Sequence, residues 1–220
     1  MADHPAFFPG WGADPAALEL QQLGCARGGR LLFGGVSLRL EAGQWLKVSG
    51  GNGAGKTSLL RVLAGLLPPA SGQVLWRGQP LAGQPVRLGH ERLFLGHAPA
   101  VKDDLSALEN LMAACALAGD PVDAGQALQA LDHAGLRAQA HQALRRLSQG
   151  QRRRCALARL PLARRRPLWI LDEPFSALDT PACEWLGEQV RAHIERGGMA
   201  VLTSHQAVAL DRMAHLELAL

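Results

Sequence analysis

Residues Gly50-Gly51-Asn52-Gly53-Ala54-Gly55-Lys56-Thr57 constrain this chain more than any other stretch. They match the spacing G-x-x-x-x-G-K-[ST], a loop that joins a strand to a helix and cradles phosphate. The glycines let the backbone pass close to phosphate oxygens and present its N–H groups. Lys56 brings a positive charge to the β- and γ-phosphates, and Thr57 a hydroxyl for Mg²⁺. Gln44-Trp45-Leu46-Lys47-Val48-Ser49 reads as the buried strand before the loop. The helix that follows, Ser58 to Leu66, is closed by Pro68-Pro69 and points its positive dipole end at the anion. The nucleotide contacts therefore span Gly50 to Ser58.

A second mark lies downstream. Leu147-Ser148-Gln149-Gly150-Gln151 precedes Leu168-Trp169-Ile170-Leu171-Asp172-Glu173. Ser148 and Gln151 have capping-box spacing, so Ser148 opens a helix that runs to about Leu162. A hydroxyl at a helix N-terminus is a second anion site. Asp172 ends an apolar strand, where a carboxylate is costly unless it serves a cation.

The remaining pattern is that of an α/β protein. Leu18–Leu23, Gly35–Leu40, Gln73–Arg77, Leu93–Leu95, Leu168–Leu171 and Ala200–Thr203 read as strands. Ser106-Ala107-Leu108-Glu109 is a capping box for a helix toward Ala118. Residues 122–147 read as a helical continuation, with Leu128, Leu131, Leu136 and Leu144 as core candidates. Ala182–Arg196 is a helix stopped by Gly197-Gly198. Residues 1–16, with Pro5, Pro9, Gly10 and Gly12, are expected to form a flexible leader. Residues 17–220 are expected to form a single domain, with a helical subdomain at about 105–162.

Composition narrows the classes. No apolar stretch approaches the ~18–20 residues of a membrane span, and no charged-then-apolar leader marks secretion. The four cysteines are widely spaced without a C-x-x-C, which suggests neither zinc nor a disulfide frame. Of 23 basic residues, Arg152-Arg153-Arg154 and Arg164-Arg165-Arg166 form two runs. They read as a solvated helix face in an arginine-rich chain, the alternative being contact with anionic lipid, a partner or nucleic acid.

In this order, the motifs resemble the nucleotide-binding domain of ABC transporters over about residues 18–210. The resemblance implies a P-loop NTPase of ABC type: a mixed sheet core, a small antiparallel β subdomain and an inserted α-helical subdomain. Gly50–Thr57 is then the Walker A loop and Leu147–Gln151 the signature motif, with Gln149 where the family usually has Gly. Leu168–Asp172 is Walker B, Ser176–Asp179 the D-loop, and Thr203-Ser204-His205 carries the switch histidine. By the same resemblance, Asp172 holds Mg²⁺, Glu173 polarises the attacking water, and His205 contacts the γ-phosphate alongside Lys56. Ser148, Gly150 and Gln151 face the ATP of a second copy, so the working unit is an ATP-bound homodimer. Asp179 passes the state of one site to the other.

A closer resemblance is to the ATP-binding subunits of heme-export complexes in cytochrome c maturation. It rests on Val74–Gly78, Leu95-Gly96-His97, Leu105–Leu111, Leu147–Leu160, Pro167–Asp179 and Leu202–Gln206. It implies a peripheral subunit at the cytoplasmic face of the inner membrane, with integral permease partners of the CcmB/CcmC type and no nucleic acid. Two positions depart from the ABC pattern. His97 stands where a glutamine usually contacts water or Mg²⁺; an imidazole can reach either, but once protonated it would repel the metal. Arg27 stands where an aromatic usually stacks on adenine; a guanidinium plane can take that place. The competing classes are a soluble ABC ATPase on nucleic acid or ribosomes, and a small-molecule kinase. The first usually carries tandem modules or coiled coils, and the second needs neither a signature helix nor a switch histidine.

Overall fold

A computed structural model describes residues 17–82, 89–204, 210, 213 and 215–220. The expected leader, residues 1–16, and the switch candidate His205 lie outside the described residues.

The strands sort into two sheets. The first contains β1 (Ala17–Arg27), β2 (Arg30–Glu41), β4 (Ser71–Trp76) and β5 (Gln79–Pro80), in the order β2-β1-β4-β5 and antiparallel throughout. The second contains β3 (Trp45–Ser49), β6 (Arg92–Leu95), β7 (Leu168–Leu171), β8 (Met199–Thr203) and β9 (Leu216–Ala219). Its order is β6-β7-β8-β3-β9, with every pair parallel. The fold is the expected α/β P-loop type, with the two strand senses kept in separate sheets. β1 and β2 are longer than their alternation suggests because Gly28 and Gly29, at φ 57° and 76°, close them into a hairpin.

Residue period two divides the core. Leu46, Val48, Leu168, Ile170, Met199 and Val201 face one side. There they meet α1 (Lys56–Leu63) and the antiparallel sheet through Leu59, Leu60, Leu63, Leu18 and Leu20. Trp45, Trp169, Leu171, Ala200 and Leu202 face the other side, against Leu186, Val190 and Ile194 of α5 (Thr180–Glu195). Coverage on both faces explains why β7 and β8 read as unbroken apolar runs.

A third core belongs to the middle of the chain, where α2 (Ala107–Leu117), α3 (Ala124–His133) and α4 (Gln149–Leu157) enclose Leu111, Leu131, Leu136, Leu144 and Leu147. Capping boxes at Ser106, Asp123 and Ser148 start these helices. The reading of 122–147 as one helix is corrected: α3 stops at His133, Gly135 follows at φ 69°, and only single 3-10 turns at 137–139 and 144–146 come after. α4 also ends early, at Leu157, rather than near Leu162. Pro161 has no N–H to give the Leu157 carbonyl four residues back, and its ring would collide with it.

The expectation of two solvated arginine runs fails at one residue in each. Arg153 is 5% exposed and Arg166 is 3%. Arg166 ties the end of α2 to β6: it donates to the carbonyls of Gly89, Ala118 and Arg92 and pairs with Asp120 at 2.7 Å. A guanidinium carries five donors, enough to repay burial where carbonyls converge.

Candidate ATP site

The loop between β3 and α1 has a shape that side chains would prevent. Gly50 has φ 141°, and a Cβ there would lie 2.6 Å from the Leu220 carbonyl oxygen. Gly55 has φ 110°, with Leu32 and Phe33 of β2 packed against the place of its missing Cβ at 3.1 and 3.0 Å. Gly55 also caps α1 without any side-chain hydrogen bond, so the first-turn amides are not engaged by a cap side chain. Lys56 is 7% exposed and turns its Nζ into the loop, donating to Gly50 O at 2.8 Å and Gly51 O at 3.0 Å. Gly51, Asn52 and Gly53 are exposed, while Ala54 and Thr57 are half-buried. Ser58 is buried, as is Cys25, whose thiol pKa is pushed up by burial.

Arg27 is exposed at the tip of the β1–β2 hairpin, opposite Arg30. In the register of that hairpin Cys25 faces Phe33, the residue on Gly55, so Arg27 sits two residues beyond the row that touches the loop.

At the end of β7 a second group assembles. Asp172 is 1% exposed. Its Oδ1 accepts a hydrogen bond from Thr203 Oγ1 at 2.9 Å, whereas its Oδ2 is buried without a hydrogen-bond partner among the described residues. An orphaned carboxylate oxygen suits a hard cation, which takes oxygen ligands. Glu173 has φ 47°, a left-handed conformation that costs a non-glycine residue about 1–3 kcal/mol. Two neighbours hold it there. Thr203 Oγ1 accepts its N–H at 2.7 Å, and Arg153 Nη2 donates to the carbonyls of Asp172 and Glu173 at 2.7 and 2.8 Å. His97, 65% exposed, brings Nδ1 to 3.6 Å from Glu173 Oε2. His97 and Asp172 also line a cavity of about 390 Å³, together with Val101, Asn110, Arg153 and Arg159. Asn110 orders the loop after His97, bonding the backbone of Lys102, Leu105 and Ser106.

The third group lies at the start of α4. Ser148 Oγ accepts the Gln151 N–H at 3.2 Å, and Gln151 Oε1 accepts the Ser148 N–H at 2.9 Å. A Cβ on Gly150 would lie 2.7 Å from the Ala177 carbonyl oxygen. Ala177 itself has φ 60°. Asp179 caps α5, accepting the Ala182 N–H at 3.1 Å. Among the described residues, no hydrogen bond joins Ser148 or Asp179 to the Lys56 loop.

Sequence alone names Thr203 only as a strand end in the switch stretch and Arg153 only as one of an arginine run, and gives neither a role at this site. A hydroxyl at the end of an otherwise apolar strand was the available signal for Thr203. Nothing in the run of three arginines distinguishes Arg153 from its neighbours.

The family model described as ABC transporter matches residues 33–176. The cytochrome c biogenesis ATP-binding export protein CcmA of Dechloromonas aromatica (strain RCB) is 49% identical over 87% of this chain and 93% of its own. The protein of the same name from Pseudomonas aeruginosa is 51% identical over 88% and 95%. Among solved structures, an ABC transporter ATP-binding protein from Pyrococcus furiosus superposes with a TM-score of 0.79, at 23% identity, over 93% of this chain and 97% of its own. A dimeric ATP-binding cassette in a post-hydrolysis state, bound to ADP and Pi, superposes with a TM-score of 0.75 at 23% identity, over 86% and 88%. With its phosphate loop and signature helix in the family's order, the chain belongs to the ABC transporter family, among the cytochrome c biogenesis ATP-binding export proteins.

Proposed function

We propose that the chain is the ATP-hydrolysing, energy-coupling subunit of a membrane complex that handles heme in c-type cytochrome biogenesis. The observation that carries the enzymatic part is the buried cluster at the end of β7. There the orphaned Asp172 oxygen, the Thr203 hydroxyl and the strained Glu173 lie together. The relatives at 49% and 51% identity are named for cytochrome c biogenesis and export, and heme as the cargo is the reading proposed here.

In this reading the amides of Gly51 to Ser58 and the Lys56 ammonium hold the phosphates, and Arg27 stacks on the base. Thr57 and Asp172 hold Mg²⁺, which neutralises charge on the phosphate oxygens when bound. Glu173 takes a proton from water as the water oxygen bonds to the γ-phosphorus and the bond to the ADP oxygen breaks. His97 stands beside Glu173 and serves the same water. His205 and the partner's signature motif complete the charge stabilisation. Ser148, Gly150 and Gln151 act across a homodimer formed on ATP, with Asp179 at the shared interface. Integral membrane subunits of the CcmB/CcmC type receive the motion at the inner membrane. Among the described residues no helix is long and apolar enough to cross a membrane, so in this reading such partners supply the translocation path.

Glu173→Gln tests the enzymatic core. It should keep ATP binding and lose about 10²–10⁴-fold in turnover. A variant that hydrolyses ATP near the original rate would sink the assignment. Co-purification from membranes, with identification of the bound proteins and pigment, tests the heme reading. Partners unrelated to cytochrome biogenesis would overturn it.

A further inference from the structure

We propose that Arg153 is a positioning residue through which the signature helix sets the geometry of the hydrolytic pair His97 and Glu173 in its own chain. The inference rests on the ATPase reading above and deepens it, because it supplies a link between the two nucleotide sites of a dimer.

The two terminal nitrogens of one guanidinium divide the work. Nη1 donates to Gly96 O at 2.9 Å and His97 O at 2.8 Å. Nη2 donates to Asp172 O at 2.7 Å and Glu173 O at 2.8 Å. The loop that presents His97 and the strand end that presents Glu173 therefore share one rigid planar bridge. The two side chains stand 3.6 Å apart, His97 Nδ1 to Glu173 Oε2. Arg153 lies in α4, five residues from Ser148, the helix cap proposed to face the other subunit's ATP. A shift of that helix end moves the guanidinium, and the guanidinium is bonded to the carbonyl of a residue held at φ 47°. A strained conformation of this kind persists only while its surroundings enforce it. Thr203 enforces it from the β8 side and Arg153 from the α4 side. Burial at 5% exposure, with four charge-assisted bonds to carbonyls, makes this contact specific to the arginine fork. A lysine is a point charge and cannot span both pairs.

The test compares the full-length chain with Arg153→Lys and Arg153→Met. ATPase kinetics, nucleotide affinity and backbone amide exchange are measured for each. Arg153→Lys is expected to lose about 10-fold or more in kcat while KM and ATP affinity stay within about threefold, the pattern of a group that acts on the transition-state geometry. In a Glu173→Gln background the same change is expected to cost nothing further, because the group it positions is already gone. Amide exchange at residues 96–98 and 172–176 is expected to speed up, while β3 and β9 remain protected. A kcat within twofold of the parent in Arg153→Lys overturns the proposal. So does an equal loss in the Glu173→Gln background, or a loss of nucleotide affinity in step with kcat, since either would mean a purely structural arginine. Should Arg153→Met not fold, Arg153→Lys alone carries these outcomes. A parent chain without ATPase activity would overturn the functional reading, and unchanged exchange at 172–176 would still overturn the role of Arg153.

Discussion

Thr203→Val removes two hydrogen bonds at once while keeping the shape of the side chain. Thr203 is fully buried. Its hydroxyl accepts the Glu173 N–H at 2.7 Å and donates to Asp172 Oδ1 at 2.9 Å. Valine leaves the Glu173 N–H without that acceptor, at about 1–3 kcal/mol, and removes a bond to a carboxylate, at about 1.5–3 kcal/mol. The two share one hydroxyl and are not independent, so about 3–5 kcal/mol is the expected total. For a chain of this size that lowers Tm by roughly 6–20 °C. Thr203→Ser keeps the hydroxyl and loses one methyl, at about 1 kcal/mol. Urea unfolding of the three proteins measures the difference, and ATP turnover should fall with Thr203→Val but not with Thr203→Ser. A Thr203→Val protein within about 0.5 kcal/mol of the parent would refute the hydrogen-bond argument. A serine variant as unstable as the valine variant would show that packing, not the hydroxyl, is what matters.

Two further outcomes follow from the same packing. His193 is fully buried, stacked on Trp169 at 3.9 Å between centroids, and desolvation pulls its pKa down to about 3. Its folded value lies below the unfolded one of about 6.5, so its contribution is complete above the unfolded value and is lost as pH falls toward the folded one. Stability should therefore decline below about pH 6.5 by up to about 1.4 kcal/mol per pH unit from this group, and His193→Phe should flatten that decline; an unchanged slope in denaturant titrations from pH 7 to 4.5 would contradict the assignment. Gly150→Ala places a methyl 2.7 Å from the Ala177 carbonyl oxygen, so it should cost about 1–3 kcal/mol and push the start of α4 off the Ala177 turn; wild-type stability and turnover would mean that the two loops separate freely.

Where local chemistry decides the structure, the sequence could be read directly. The Gly50–Thr57 spacing, the Ser106 and Ser148 capping boxes and the apolar runs of β7 and β8 each carry their own signal within a few residues. The helix ends did not, because Gly135 and Pro161 are single punctuation marks inside apolar patterns that otherwise continue. Arg153 was illegible for a different reason. A buried arginine and a solvated one look alike in sequence, and only the convergence of Gly96, His97, Asp172 and Glu173 carbonyls tells them apart. The left-handed turn of Glu173 is likewise a product of neighbours far along the chain, Thr203 among them.

Lys56 closes its own loop, since the carbonyls of Gly50 and Gly51 already occupy its ammonium. In the proposed reading, phosphate therefore meets a lysine two of whose three N–H donors are already given to carbonyls, and not an idle charge. A side chain held in this way has less ordering entropy left to lose on binding. This also changes how a Lys56→Ala experiment must be interpreted. In that reading such a variant loses the two hydrogen bonds that hold the loop as well as a ligand to phosphate. Its weaker nucleotide binding would therefore combine two losses, which a neutral and slightly shorter donor, Lys56→Gln, would begin to separate.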